Sequence, residues 1–220
     1  MDKTTLPATD DTAAWLRHVK RSLHGMMNGP VSASMREKGL AYKVIFGVEL
    51  PRLQNFSHDL PHTASLAAAL WKEDIRECRL LAGMVMPPET FGADLAELWT
   101  EQMRFTEEAE CTVMHLFCRL PEASTLAYTW IASDDRMHAL CGYLLLARLF
   151  MAGAKPGQRD ADEFLDQTHA ALLDGDPAVS RAAGKALLKF MGLGAGQEAA
   201  GERLLRALET HGDTAENGKH

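Results

Sequence analysis

The stretch from Ser133 to Met151, SDDRMHALCGYLLLARLFM, decides the fold. Ser133, Asp134 and Asp135 place short oxygen-bearing side chains where the unpaired N–H groups of a first helical turn need acceptors. Beyond them Met137, Leu140, Cys141 and Leu144 recur at three- and four-residue steps, and Tyr143, Leu146 and Ala147 fill the opposite side. A helix that is apolar nearly all round needs neighbours on several sides. The apolar run from Met137 to Met151 contains His138 and Arg148 and falls short of the roughly 20 residues of a membrane span, so it reads as buried in protein.

Working outward, the same helical grammar recurs. Asp176-Pro177, a capping acid before a proline that suits a first helical position, leads into VSRAAGKALLKFM, and the glycines of GLGAG at 192–196 close that helix. Further starts are expected at Asp74, with Glu77 three residues on as in a capping box, and at Thr106, with Glu107 and Glu108 in the first turn. Each start is preceded by another amphipathic segment, beginning at Thr63, Ala93, Ala123 and Asp160. The turns at Asp74, Thr106, Ser133 and Asp176 lie 32, 27 and 43 residues apart, within the range of helix-pair repeats. Strand alternation and hairpin dipeptides are almost absent. The expected fold is therefore all-α, a HEAT-like repeat α-solenoid made of a curved stack of antiparallel helix pairs, because no pair covers its own apolar face.

An N-terminal helix is expected from about Asp11 to Met27, followed by a break at Gly29-Pro30. With 220 residues the chain suits one domain over 11–211, with a flexible N-terminus at 1–10 and a disordered tail at 212–220. Met1 to Asp11 shows neither an apolar leader core nor a basic transit pattern, which makes the cytoplasm the expected location. The net charge of −7 speaks against nucleic acid, but the charge is uneven. Between Arg17 and Arg52, seven basic residues face two acidic ones, an excess of five. Because screening confines repulsion to about 8 Å at physiological salt, a local basic surface can hold phosphate on an acidic protein.

Three stretches resemble the AlkD-like DNA alkylation repair family: Met35 to Leu53, Leu70 to Ala82 and Trp130 to Phe150. The first carries Tyr42, Lys43, Phe46, Gly47, Val48, Pro51 and Leu53 in the order of that family's signature. The resemblance implies a HEAT-like solenoid whose concave basic face holds duplex DNA. It also implies excision of cationic alkylated purines such as 7-methylguanine and 3-methyladenine without metal or cofactor. By the same resemblance, the family's catalytic aspartate falls on Glu110, its essential tryptophan on Thr106, its arginine on Leu140 and the tryptophan of its final repeat on Lys185.

Cleaving the bond to a cationic base leaves an oxocarbenium-like sugar, which calls for a fixed carboxylate and for aromatic faces. Only the carboxylate survives here, as Glu110, while Glu107, Glu108 and Glu110 would equally serve as the acids that suit any helix start. Phosphate contacts are distributed, so DNA binding can outlast catalysis. The candidates are Lys185, Arg181, Lys189 and Arg148, with Arg119, Arg76 and Arg79 also on second helices, and Lys43, Arg36 and Lys38 from the basic N-terminal part. The leading expectation is a DNA-binding protein with weak or absent glycosylase activity. Two rivals are a protein-interaction scaffold bound to a protein partner and an active alkylpurine glycosylase using Glu110.

Cys111, His115 and Cys118 share one helical face, yet buried thiols beside Met114 are the simpler reading, and no metal, cofactor or membrane partner is expected. Trp71, Trp99 and Trp130 recur near the ends of first helices and read as packing residues.

Overall fold

The computed structural model describes residues 6–174 and 176–217, whose regular elements are all helices, with a single isolated bridge between Val44 and Ile75 as the only strand-like pairing among them. Packing divides the chain into two compact units, Met1–Gly92 and Ala93–His220, and the boundary falls inside the stretch 11–211 read from sequence as one domain.

The first unit contains α1 (Thr12–Gly25), α2 (Gly29–Glu37), α3 (Leu50–Ser57), α4 (Ala64–Trp71) and α5 (Arg76–Val85). Asp11 caps α1 by accepting from Ala14 N–H at 2.8 Å, and Thr63 caps α4 by accepting from Leu66 N–H at 3.3 Å. The N-terminal helix ends at Gly25, ahead of the expected break, and Gly29-Pro30 instead opens α2, because Asn28 supplies the cap and Pro30 lacks the N–H that a first turn would waste. Asp74 does not start α5. Its carbonyl accepts from Val44 N–H at 3.1 Å, and Ile75 stands at the cap position with no side-chain bond. Glu77, fully buried, looks away from its own helix end and accepts from the N–H groups of Phe46 at 3.0 Å, Gly47 at 2.9 Å and Val48 at 3.2 Å. This carboxylate gathers the 46–48 loop onto α5. Gly47 has φ +75°, and a Cβ there would collide with the Asn28 carbonyl and the Ser32 N–H, so only glycine fits.

The second unit contains α6 (Ala93–Glu101), α7 (Thr106–His115), α8 (Ala123–Ile131), α9 (Arg136–Met151), α10 (Gln158–Asp174), α11 (Pro177–Met191) and α12 (Ala195–Asn217). The nearly all-apolar α9 is surrounded by α6, α7, α8 and α11, as its sequence demands. At Gly142 an added Cβ would lie 2.8 Å from Ile131 N and 3.0 Å from the Ala127 carbonyl, which measures how closely α8 and α9 approach. Tyr143, Phe150, Phe164 and Phe190 meet mostly edge to face, with the Phe164 and Phe190 centroids 5.1 Å apart, and lock α9, α10 and α11 together. Trp130 is buried, and its indole N–H donates to Glu97 Oε2 at 2.8 Å rather than to a turn.

Helix starts shift by one or two residues from their sequence assignment. Asp135 rather than Ser133 caps α9, accepting from Met137 and His138 N–H at 2.9 Å each, while Ser133 Oγ accepts from Asp135 N–H at 3.1 Å. Asp176 caps α11 as expected, accepting from Ala178 N–H at 2.8 Å. At the C-terminal end α12 continues to Asn217, past the start of the tail expected at 212, whereas residues 1–5 and 218–220 of the expected flexible ends lie outside the described residues. Among the described residues no helix is long and apolar enough to cross a membrane.

Candidate functional site

Thr106 and Glu110 lie four residues apart on α7, Leu140 and Leu144 four apart on α9, and Arg181 and Lys185 four apart on α11, so each helix turns one edge toward a common hollow. Ala178 and Ala182 complete its wall, and their small side chains leave about 280 Å³ of open space, solvent included. Thr106, Glu110, Leu140 and Lys185, scattered over 80 residues of sequence, thus meet in one place. Leu140 is buried, Thr106 is half-buried, and Glu110, Arg181 and Lys185 are exposed.

Glu108 and Glu110 have separate duties on α7. Glu108 is buried and bonds back to the N–H groups of Arg104 at 2.7 Å and Phe105 at 3.4 Å, which closes the helix start. Glu110, two residues further on and so on the other side of the helix, takes no part in that cap and stands at the hollow. Its rim is braced by Arg136, whose Nη2 donates to Thr106 Oγ1 at 3.4 Å and whose Nε pairs with Asp176 at 3.1 Å. Sequence reasoning missed Arg136 because both its partners are distant in the chain.

A second hollow adjoins the first through Leu144 and Lys185. It is wider, about 950 Å³, and Arg148, Lys185 and Lys189 flank an apolar floor. Arg181, Lys185 and Lys189 follow one another at four-residue steps, so α11 presents a cationic edge to both hollows. No aromatic ring is among the residues lining either hollow.

Other candidates are placed differently. Arg36, Lys38 and Lys43 lie in the first unit and are exposed, but Arg36 spends its guanidinium on the carbonyls of Tyr42 at 3.1 Å and Lys43 at 3.5 Å. Arg76 and Arg79 are buried. Arg76 donates to the Val48 carbonyl at 3.0 Å, and Arg79 donates to the Trp71 carbonyl at 2.9 Å while stacking 3.7 Å above the Trp71 ring. These two arginines hold the first unit together and are not surface phosphate ligands. Arg119 is exposed, with Nη1 3.4 Å from the His115 carbonyl.

Among the described residues no three His, Cys, Asp or Glu side chains are grouped as metal ligands. Cys118 points its thiol at the Met114 carbonyl at 3.3 Å, and burial pushes the thiols of Cys78 and Cys141 up, as expected for inert core cysteines. His138 is buried between acids, with Nδ1 2.7 Å from Asp135 Oδ1 and Nε2 2.8 Å from Glu97 Oε1, the latter an ion-pair distance without hydrogen-bond alignment.

The family model for DNA alkylation repair enzymes matches residues 19–200, which takes in both hollows and the 35–53 signature. The chain belongs to the DNA alkylation repair enzyme family. Among solved structures it is similar to one described as "A new family of proteins related to the HEAT-like repeat DNA glycosylases with affinity for branched DNA structures". The match has a TM-score of 0.70 at 15% identity and covers 80% of this chain and 75% of that one, which establishes a HEAT-like repeat fold for this family member. A comparison with curated proteins finds no match.

Proposed function

We propose that this protein binds DNA, branched DNA included, through the cationic edges of α9 and α11, and that base excision of alkylated purines is weak or absent. The observation that carries this reading is the convergence of Thr106, Glu110, Leu140 and Lys185 on one hollow whose flank carries Arg181, with Lys189 and Arg148 next door. Four cations at the surface of two packed helices suit successive phosphates, and arginine adds a planar fork that can grip two phosphate oxygens. Arg181 brings a guanidinium into the hollow where Leu140 offers none.

Excision is disfavoured by what the hollow lacks. A cationic purine leaving its sugar is stabilised by an aromatic face, a contact worth about 0.5 to 2 kcal/mol, and by exact placement of a carboxylate. Here Thr106 and Lys185 stand where rings would be, and a cation at 185 opposes a cationic base. The similar solved protein has affinity for branched DNA by its description, which makes junctions the first substrates to try. Within the first unit, the exposed Lys38 and Lys43 are phosphate ligands of their own in this reading, while Arg36, held on the Tyr42 and Lys43 carbonyls, adds charge beside them. A cytoplasmic location belongs to the same proposal.

Fluorescence anisotropy with a duplex and with a three-way junction tests the reading. Binding that weakens steeply with added salt is expected, and no association with either DNA at low salt overturns it. The placement of Glu110 at the hollow favours one second reading, a glycosylase in which Glu110 stabilises the developing sugar cation. Release of 7-methylguanine from methylated DNA, abolished in Glu110→Gln, would establish that activity, and absence of release removes it. Capture of a stoichiometric protein partner by a chain that ignores DNA would instead favour a scaffold.

A further inference from the structure

Leu188 is 66% exposed and Met151 is 57% exposed, although both are large apolar side chains in ordered helices. They sit on α11 and α9 at the second hollow, which Leu144 also lines. Leu188 follows Lys185 by three residues and precedes Lys189 by one, while Arg148 stands three residues before Met151. Apolar surface wetted by choice and enclosed by cations is a particular chemistry. It suits a ligand that is anionic at its edge and apolar behind that edge.

We propose that this hollow receives unstacked nucleobases at a DNA branch point, with Leu188 and Met151 as the aliphatic wedge and Lys185, Lys189 and Arg148 on the adjacent phosphates. The inference rests on the DNA-binding reading and adds what the site selects. In a continuous duplex the base faces are stacked, so an aliphatic side chain beside the phosphates meets only sugars and groove edges. At a junction the stack is interrupted, a base face is open, and covering it removes apolar surface from water on both sides. Aliphatic side chains are the ones proteins insert at such steps, and they need no aromatic partner. Lysines on either side bring the backbone within reach without reading sequence. The wedge therefore confers preference for structure, while the cations supply affinity for any DNA.

The test measures affinity for a three-way junction and for a duplex of matching sequence, with 2-aminopurine beside the branch to report stacking. Leu188→Gln keeps a good helix former at an exposed site, and circular dichroism confirms the fold. It is expected to weaken junction binding by about tenfold, change duplex binding by less than about twofold, and abolish the 2-aminopurine response. Met151→Gln should act in the same direction. Lys185→Ala should weaken both DNAs alike, and Leu98→Ala, which truncates another exposed leucine on α6, should weaken neither. An unchanged ratio of junction to duplex affinity in both Leu188→Gln and Met151→Gln overturns the wedge and leaves DNA binding standing. A wild-type protein that binds no DNA overturns both.

Discussion

Arg136 Nε lies 3.1 Å from Asp176 Oδ1, so the first residue of α9 is tied to the residue that caps α11. The same carboxylate accepts from Ala178 N–H at 2.8 Å and from Val179 N–H at 3.4 Å. One aspartate thus serves two helices that carry the candidate interface. Partial burial pushes the Asp176 carboxyl up, but the hydrogen bonds from Ala178, Arg136 and Val179 outweigh it and hold the group below the ordinary aspartate range.

Asp176→Ala is expected to cost about 1 kcal/mol through loss of the cap, with little added by the exposed ion pair. The pH dependence follows from the lowered folded-state value. The native state binds fewer protons than the unfolded chain, so the contribution is complete above about pH 4 and vanishes as pH falls through the lowered value. Thermal unfolding across pH 7 to 2 should show the gap between wild type and Asp176→Ala narrowing in acid. A gap that is constant with pH would contradict the role.

Gly142→Ala and Gly184→Ala make a matched pair, since both replace a glycine inside a helix of the second unit. Alanine at 184 meets nothing nearer than Leu172 Cδ2 at 3.9 Å, so the gain in helix propensity, about 0.5 to 1 kcal/mol, should appear as added stability. Alanine at 142 would press on Ile131 N at 2.8 Å, backbone that cannot swing aside, and the strain, about 1 to 3 kcal/mol, should outweigh that gain. Urea denaturation should therefore move the two midpoints in opposite directions.

The difference between those glycines shows which part of the fold is written locally. Capping residues and proline positions mark α1, α4 and α11 in the sequence because Asp11, Thr63 and Asp176 bond within three residues of themselves. Glu77 satisfies the same local pattern as a capping-box acid, yet its partners lie about 30 residues away, at Phe46, Gly47 and Val48. Nothing within one helical turn could have told the two uses apart. The candidate site divides in the same way. Four-residue spacing places Arg181, Lys185 and Lys189 on one edge of α11, but only tertiary packing shows Arg76 and Arg79 turned inward and Leu188 left in water.

Glu77→Ala should be among the most damaging single changes in the first unit. It strips three backbone N–H groups of their acceptor and takes from the buried Arg76 guanidinium, 3.3 Å away, its carboxylate counter-charge. Losing one partner of a buried charged pair costs about 3 to 5 kcal/mol. Glu77→Gln keeps one oxygen acceptor but places an amide NH₂ against the N–H groups, so it should fall between wild type and Glu77→Ala. Chemical denaturation followed by circular dichroism gives the ranking, and equal stabilities for Glu77→Ala and wild type would refute the account.

Salt dependence separates phosphate ligands from merely basic residues. Each lost phosphate contact on duplex DNA lowers the slope of log affinity against log salt by about 0.9. Arg181→Ala, Lys185→Ala and Lys189→Ala are each expected to show that decrement, because the three lie at successive turns of one helix edge. Arg206 is equally exposed but is neutralised by Glu202, with Nη2 3.1 Å from Oε2, so Arg206→Ala should leave the slope unchanged. If Arg206→Ala lowers the slope as much as Lys185→Ala does, binding is a diffuse response to positive charge and the α9 and α11 edge has no special standing.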